Sequence, residues 1–170
     1  MQSAQAQELK MLGRIHDFEG FCQGYREAVE AGFTNINVDV MSGLPGQTLA
    51  GYRDTLEKVL HLEPMPQHIS AYSLIVEEGT PFAAMAERGQ LPLPEEDVER
   101  AMYEETIEVL EKYGFHRYEI SNYARDGYEC RHNVGYWIRR DYLGFGIGAA
   151  SLIDNVRFQN GRDLAAYLAH

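Results

Sequence analysis

The segment Asn35–Thr48, NINVDVMSGLPGQT, places the strongest constraint on how this chain can fold. Its first half alternates apolar and polar residues, which is the period of a half-buried β-strand, and we predict a strand over Phe33–Met41. Asp39 then lies near the C-terminal end of that strand. A turn rich in glycine and proline follows, and a helical pattern begins at Thr48. An acid before such a turn and helix is typical of ligand sites in α/β proteins.

The elements around this segment favour an α/β fold. A short helix is predicted over Gln5–Leu12, and Asp17 is a good N-cap for a second helix that runs to residue 31. Thr48 can cap a third helix, and His68–Val76 has the composition of a second strand. Helices and strands that alternate with short connections indicate a parallel sheet, which in some proteins closes into a barrel.

The pattern changes after Val76, where a turn at residues 77–81 and a short helix to Arg88 are predicted. A proline-rich spacer, Leu91–Pro94, precedes a long acidic helix predicted over Glu95–Tyr113, and a strand is predicted over Phe115–Ile120. Residues 121–140 show no clear period. A hairpin turning at Asp154 and Asn155, and a last helix over residues 163–169 capped by Asn160, complete the prediction. We therefore divide the chain into regions 1–90 and 91–170.

Composition excludes several classes of function. Lysine and arginine total 15 against 26 aspartates and glutamates, a formal charge of −11, which argues against nucleic acid or an anionic membrane as partner. The longest uncharged run, Tyr142–Ile153, is too short to span a bilayer. The two cysteines, Cys22 and Cys130, are far apart in sequence, which argues against a disulfide framework and favours a reduced, cytoplasmic protein.

Two residues are candidates for binding a small ligand near the first strand. The carboxylate of Asp39 could accept hydrogen bonds from a ribose or an amine, and Arg14 could pair with a carboxylate through two parallel hydrogen bonds. The alternatives remain open at this point. Asp39 could instead be a polar residue satisfied by its neighbours, and Arg14 an ordinary surface arginine.

The sharpest local cluster is the segment 130–137, CRHNVGYW. His132 there is surrounded by aromatic residues and arginines, which supply an axial nitrogen, flat apolar surfaces and cations for propionates, as a haem site requires. A histidine satisfied within the core is the alternative. The nearby G-x-G-x-G at residues 144–148 is not a dinucleotide motif, and its glycines would let the backbone approach a flat ligand or a crowded strand. The histidine spacing matches no zinc signature.

Five motifs together resemble the oxygen-independent coproporphyrinogen III oxidase family of radical S-adenosylmethionine (SAM) proteins. They are NINVDVMSGLPGQT, HISAYSLIVEEGTPF, YEISNYA, ECRHNVGYW and YLGFGIGAAS, and the resemblance runs from Gln2 to His170. Within the family, the HNxxYW motif that begins at His132 resembles the signature of the haem chaperone branch.

The resemblance implies a fold and a set of site residues. Region 1–90 would be the C-terminal half of a partial (βα)₆ radical SAM barrel, and region 91–170 a smaller α+β part. The SAM contacts carried over by motif are Gln2, Arg14, Asp39, Ile75 and Ala150, the last two through the backbone, and His132 would bind haem. The family departs from this chain at Ile147 and Ala150, where it commonly has proline and histidine.

The resemblance also implies cofactors that this sequence does not fully support. Family members bind a [4Fe–4S] cluster through CxxxCxxC, which is absent here and would lie before Met1, so the chain resembles an internal fragment that is inactive by itself. We expect a fragment of a haem chaperone that passes haem to an acceptor protein. The alternatives are a coproporphyrinogen III oxidase of porphyrin biosynthesis, or an inactive interaction module that dimerises through an exposed barrel edge.

Overall fold

The computed structural model describes residues 1–169, and His170, the end of the predicted second region, lies outside the described residues. The described chain forms two compact units, Met1–Glu129 and a second that begins at Cys130. The predicted boundary after residue 90 concerns where a barrel would end, and it stays a prediction. The helices are α1 (Ala6–Met11), α2 (Phe18–Glu30), α3 (Leu49–Leu60), α4 (Pro81–Glu87), α5 (Glu96–Lys112), α6 (Arg131–Trp137) and α7 (Leu164–Leu168). The strands are β1 (Asn37–Ser42), β2 (His68–Ser73), β3 (His116–Arg117), β4 (Asn122–Ala124), β5 (Ala150–Ile153) and β6 (Val156–Gln159).

The first unit is built on a four-stranded sheet with strand order β1-β2-β4-β3. Strands β1 and β2 are parallel, with Asn37 opposite His68 and Asp39 opposite Ser70, which confirms the α/β class. Strand β4 is antiparallel to both β2 and β3. Strand β3 has two residues rather than the predicted six, because the chain reverses at residues 119–121 and returns as β4.

The core lies on one face of this sheet, under α3 and α5. Val38, Val40 and Ile69 point from the strands into it and are fully or almost fully buried. Burying each such side chain contributes about 1.5–3 kcal/mol. Tyr52 of α3 is also fully buried, and its hydroxyl group lies 2.7 Å from that of Thr106 in α5. Burial raises the pKa of Tyr52 far above its usual value, so its hydroxyl group stays protonated.

The turn after β1 is held by the side chain of Gln47, which is buried. Its Oε1 accepts from the backbone N–H of Leu44, and its Nε2 donates to the carbonyl of Met41 at 3.1 Å. The same nitrogen donates to the buried carboxylate of Glu8 at 2.9 Å. One side chain therefore fixes the turn that the sequence predicted and joins it to α1.

The predicted N-caps of the first unit are confirmed. The side chain of Asp17 accepts from the backbone N–H of Gly20 at 2.8 Å at the start of α2. The hydroxyl group of Thr48 accepts from Gly51 at 3.1 Å at the start of α3. In both helices the side-chain oxygen satisfies an N–H of the first turn that has no partner within the helix.

The second unit contains the predicted hairpin and one error of prediction. Strands β5 and β6 are antiparallel, and Asp154 and Asn155 at the turn both have positive φ, as the tight hairpin turn requires. Asn160, however, does not cap the last helix. Asp163 does, accepting from Ala166 at 2.8 Å, while the amide group of Asn160 donates to the carbonyls of Gly144 and Gly146.

Among residues 1–169, no helix combines the length and the apolar character that crossing a bilayer requires.

The backbone of Ala150 comes so close to Gly144, in the G-x-G-x-G loop, that this position has no room for a side chain. A Cβ at Gly144 would collide with the carbonyl oxygen of Ala150. We expect Gly144→Ala to lower the free energy of unfolding of the second unit by about 1–3 kcal/mol. The fluorescence of Trp137, the single tryptophan, would follow this in urea. Gly161→Ala is the matched control, because its Cβ would meet nothing within 4 Å, and equal losses in both variants would contradict the expectation.

Candidate functional site

Asp39 lies in the middle of β1 and not near its C-terminal end. The strand begins at Asn37 instead of residue 33, because the N–H of Ile36 is donated to the side chain of Gln67, and it continues to Ser42. Since side chains alternate along a strand, Asn37 and Asp39 lie on the face opposite the apolar core. The amide Nδ2 of Asn37 donates to Asp39 Oδ1 at 2.8 Å.

Polar residues of β2 extend this face. Nδ1 of His68 lies 2.7 Å from Asn37 Oδ1, and Nε2 lies 2.8 Å from the hydroxyl oxygen of Tyr118. His68 is buried, and desolvation lowers its pKa, although the carboxylates of Asp39, Glu119 and Glu129 act in the opposite direction. The imidazole is therefore neutral at physiological pH.

This burial predicts a pH dependence of stability. The folded-state pKa of His68 lies below the value of about 6.5 of an unfolded chain. Between these two values the unfolded state binds a proton that the folded state does not, so stability falls as the pH decreases through this window. The slope from one such group is at most about 1.4 kcal/mol per pH unit.

Urea unfolding at about pH 7.5 and about pH 5.5 measures the effect. The loss on acidification should be larger in the wild type than in His68→Asn, which has no imidazole to titrate. Equal losses in the two proteins would show that His68 does not contribute.

Gln2 lies beside the strand that carries Asp39, and the charges of Asp39 and Arg14 both act on the neighbouring Met1 amino group. The backbone N–H of Met41 donates to the carbonyl of Gln2 at 2.8 Å, which places Gln2 beside β1. Burial lowers the pKa of the Met1 amino group, the charge of Asp39 raises it, and that of Arg14 lowers it, so both charges act at the same nitrogen. The structure thus places Gln2 beside the strand that carries Asp39.

The local sequence explains how Arg14 and Gln2 are placed. Helix α1 ends at Met11, and Gly13 in the turn after it has a φ of 66°, a left-handed conformation that favours glycine. Arg14 then donates its backbone N–H to the carbonyl of Leu9 at 2.9 Å, so its exposed side chain leaves from a fixed turn. Among residues 1–169, the side-chain oxygen Oε1 of Gln2 is the one buried side-chain polar atom without a hydrogen-bond partner.

The two remaining predicted contacts lie in different units. Ile75 follows β2, is 75% exposed, and lines a pocket of about 420 Å³ in the first unit. Gly13, the neighbour of Arg14, lines the same pocket, together with residues of α4 and the loop before it. Ala150 begins β5 of the second unit, where its backbone carbonyl oxygen faces Gly144.

His132 lies in helix α6, which the sequence analysis did not predict. His132 and Tyr136 are four residues apart and so share one face, with their rings in an edge-to-face contact at 4.7 Å between centroids. Tyr136 makes a second edge-to-face contact with Tyr142 at 4.8 Å. Tyr142 is joined to Leu152 of β5 by two backbone hydrogen bonds, so the ring cluster is anchored to the hairpin.

The imidazole of His132 is exposed at the edge of a surface pocket of about 220 Å³. The pocket is lined by Arg131, His132, Gly135, Tyr136, Arg140, Asp141 and Tyr142. Two guanidinium groups and one carboxylate therefore border a surface that is otherwise formed mainly by aromatic rings. His132 is not a satisfied core histidine.

The hydrogen bonds that join β1, β2 and Tyr118 were missed by the sequence analysis. The signal was present in the alternation of β2, because His68 and Ser70 have the same spacing as Asn37 and Asp39. Only the strand register shows that these residues are neighbours.

Comparison with curated proteins gives relatives over most of the chain. It is 40% identical over 160 residues to the "Heme chaperone HemW" of Bacillus subtilis, which covers 94% of this chain and 42% of that protein. It is 39% identical over 149 residues to the zebrafish (Danio rerio) "Radical S-adenosyl methionine domain-containing protein 1, mitochondrial", covering 88% of this chain and 33% of that protein. The chain thus spans less than half the length of the curated relatives it matches. A scan of family models gives no match.

Comparison with solved structures identifies an enzyme with a similar fold. The coproporphyrinogen III oxidase HemN of Escherichia coli, described as a radical SAM enzyme, matches with a TM-score of 0.76 at 24% identity. The match covers 99% of this chain and 41% of that one. At this identity the likeness concerns the fold alone. Together, the comparisons confirm the resemblance that the five motifs indicate.

Proposed function

We propose that this chain, a homologue of proteins named haem chaperone HemW, is a haem-binding portion of such a chaperone. The observation that carries the proposal is the exposed imidazole of His132, held edge-on to Tyr136 on helix α6. A protein that transfers haem needs an axial ligand that is ordered but accessible, and a surface histidine supported by packed rings meets both conditions.

The surroundings of His132 suit a porphyrin as cargo. Tyr136 and Tyr142 offer aromatic surface for the edge of the macrocycle. Arg131 and Arg140 can pair with the propionates through charge-assisted hydrogen bonds. Asp141 lies in the same pocket, and its negative charge disfavours a propionate at that side. The two arginines therefore set the orientation of the bound porphyrin.

Titration with haem tests the proposal. We expect the Soret band to shift on binding, and haem to bind more tightly than protoporphyrin, which has no iron for His132 to ligate. Equal affinity for the two compounds would contradict ligation through the iron. A protein that binds neither compound would contradict the proposal as a whole.

A part of a SAM pocket is the second element of the proposal. Arg14 suits the methionine carboxylate and Asp39 a ribose hydroxyl or the amino group. The unpartnered Oε1 of Gln2 supports this assignment, because a buried acceptor of this kind is satisfied when a ligand donates to it. The backbone at Ile75 would add a contact from the first unit, and the contact at Ala150 of the second unit stays a prediction from the resemblance.

The residues of this chain do not fit a [4Fe–4S] cluster. Such a cluster takes its ligands from several closely grouped cysteine thiolates. Cys22 and Cys130 are the two cysteines of the sequence, and they lie in different units. Any cluster bound by a complete protein would therefore take its ligands from other residues.

The first unit is proposed to be part of a (βα) radical SAM barrel. The parallel pair β1 and β2, with α3 between them in sequence, supports this, and so does the hydrogen bond that places Gln2 along the outer edge of β1. Transfer of haem to an acceptor protein and a cytoplasmic location belong to the same proposal, since both come from the kind of protein that the chain resembles.

Coproporphyrinogen III oxidation is the second candidate function. The structural match to that oxidase in Escherichia coli favours it only at the level of fold. The reaction would need an electron source and a bound cluster, so the assay is protoporphyrinogen formation by a protein that carries both the cluster segment and this chain. Product formed at a rate that depends on SAM would favour the oxidase over the chaperone.

A non-catalytic interaction module is the third candidate. Strand β1 is at one edge of the sheet, and apart from the hydrogen bond between Met41 and Gln2 this edge is able to pair with a second copy. Light scattering distinguishes this candidate, because it requires a stable dimer.

A further inference from the structure

The polar face of the sheet contains a chain of four hydrogen-bonded residues, which we name the His68 network: Tyr118, His68, Asn37 and Asp39. Its contacts are 2.8 Å between Tyr118 and His68, 2.7 Å between His68 and Asn37, and 2.8 Å between Asn37 and Asp39. Two of its members belong to β1, one to β2, and Tyr118 to the chain between β3 and β4.

Chemistry fixes the direction of these bonds from the Asp39 end. A carboxylate only accepts, so Asn37 must present its Nδ2 amino group to Asp39 Oδ1. Its carbonyl Oδ1 then faces His68, and Nδ1 of the imidazole must donate to it. In the neutral ring Nε2 has no hydrogen, so it accepts from the hydroxyl group of Tyr118.

Ser70 supports the same arrangement. Its hydroxyl oxygen lies 2.7 Å from Asn122 Oδ1 and 3.2 Å from Asn37 Oδ1, and its single hydrogen favours the closer amide of Asn122. The donor that orients Asn37 is therefore His68. Asn122 is held in turn by Glu119, to which it donates.

We infer that His68 is a positioning residue that acts through Asn37 on the carboxylate of Asp39. As the Nδ1–H tautomer it fixes the amide of Asn37, which fixes Asp39 Oδ1 and leaves Oδ2 available to accept from a ligand. Within residues 1–169, the hydrogen bond from Asn37 is the one that the structure shows to this carboxylate. The inference rests on the proposed role of Asp39 as a SAM contact.

A purely structural network is the competing explanation, because buried polar groups must be satisfied in any fold. The two explanations differ in one respect. If His68 acts through its Nδ1 donor, then asparagine at position 68 should preserve its effect, because its amide nitrogen can occupy a similar place. Leucine should abolish the effect.

The first measurement needs no ligand. In ¹⁵N spectra at neutral pH, the hydrogen of His68 should be on Nδ1, and a hydrogen on Nε2 would overturn the inference. The ¹³C signal of the Asp39 carboxyl group should shift in His68→Leu and Asn37→Ala but keep its position in His68→Asn. An unchanged signal in His68→Leu would equally overturn it.

The second measurement uses SAM itself. His68→Leu and Asn37→Ala should weaken SAM binding between about 10-fold and 100-fold, the loss expected for one hydrogen bond to a charged group. His68→Asn should stay within about threefold of the wild type. Asn35→Ala, at an exposed position before β1, is the control for the asparagine change, and thermal unfolding checks that each variant is folded.

The outcomes separate the two proposals. If the wild type does not bind SAM, this chain does not form the proposed SAM site by itself, and the ¹⁵N and ¹³C measurements still decide the role of His68. If SAM binds with the same affinity in His68→Leu as in His68→Asn, the positioning role is wrong and the SAM contacts stand.

Discussion

Replacing His132 with alanine should weaken haem binding by more than about 100-fold, since losing a group that merely orients a metal ligand already costs about 10- to 100-fold. The side chain is exposed, and its ring contact in the structure is with Tyr136, so its removal should leave helix α6 folded. Spectroscopic titration with haem measures the affinity, and the Soret band of any residual complex should show that the histidine ligand is gone.

A matched control separates ligation from a general loss of histidine. His61→Ala removes another exposed imidazole, which lies at the end of α3 in the first unit and bonds to the carbonyl of Glu57. It should bind haem as the wild type does. If His132→Ala keeps the wild-type affinity and spectrum, any haem site is elsewhere, and His132 is not the haem ligand.

Leu56→Ala should produce the largest loss of stability, about 2–5 kcal/mol in the free energy of unfolding. Leu56 lies on α3, is fully buried, and belongs to the core between the sheet and α5. Alanine there removes apolar surface and leaves a cavity that the packed neighbours fill only in part. Urea unfolding followed by far-ultraviolet circular dichroism measures the loss as a lower midpoint.

Leu164→Ala makes the same chemical change on a surface. Leu164 begins α7 of the second unit and is 57% exposed. Its replacement should change the free energy of unfolding by no more than about 0.5 kcal/mol. Equal effects of the two substitutions would mean that the core is not where the structure places it.

Much of the local structure could be predicted because its causes are close together in sequence. The capping residues Asp17 and Thr48 each bond to an N–H group three residues later. The hairpin turn at Asp154 and Asn155 depends on residues that tolerate positive φ. Such interactions need no information about the rest of the fold.

The errors of the sequence analysis also had physical causes. Helix α6 was missed because it is short and mixes histidine, arginine and aromatic residues, so no apolar stripe marks it. Strand β4 has three residues, all buried, and shows no alternation. Asn160 resembled an N-cap, but Asp163 lies next to the helix and takes that place, while Asn160 satisfies loop carbonyls.

The candidate site residues also differ in how far the sequence alone could predict them. His132 and its aromatic neighbours are contiguous in sequence, so the motif alone predicted a ligand there. The SAM contacts Gln2, Arg14 and Asp39 came from the resemblance, and that role stays a prediction. The structure adds that Gln2 lies beside the strand that carries Asp39.

The sequence by itself determined most of the helices, turns and strands, and which residues could carry chemistry, because those properties depend on near neighbours and side-chain type. Only the tertiary structure decided which polar groups meet. In the sequence, His68 is 31 residues from Asn37 and 50 residues from Tyr118. Their contacts depend on the register of β1 and β2 and on the reversal of the chain after β3. A shift of β2 by one residue against β1 would turn His68 to the opposite face and break both of its contacts. The orientation of the Asp39 carboxylate is therefore a property of the packed sheet.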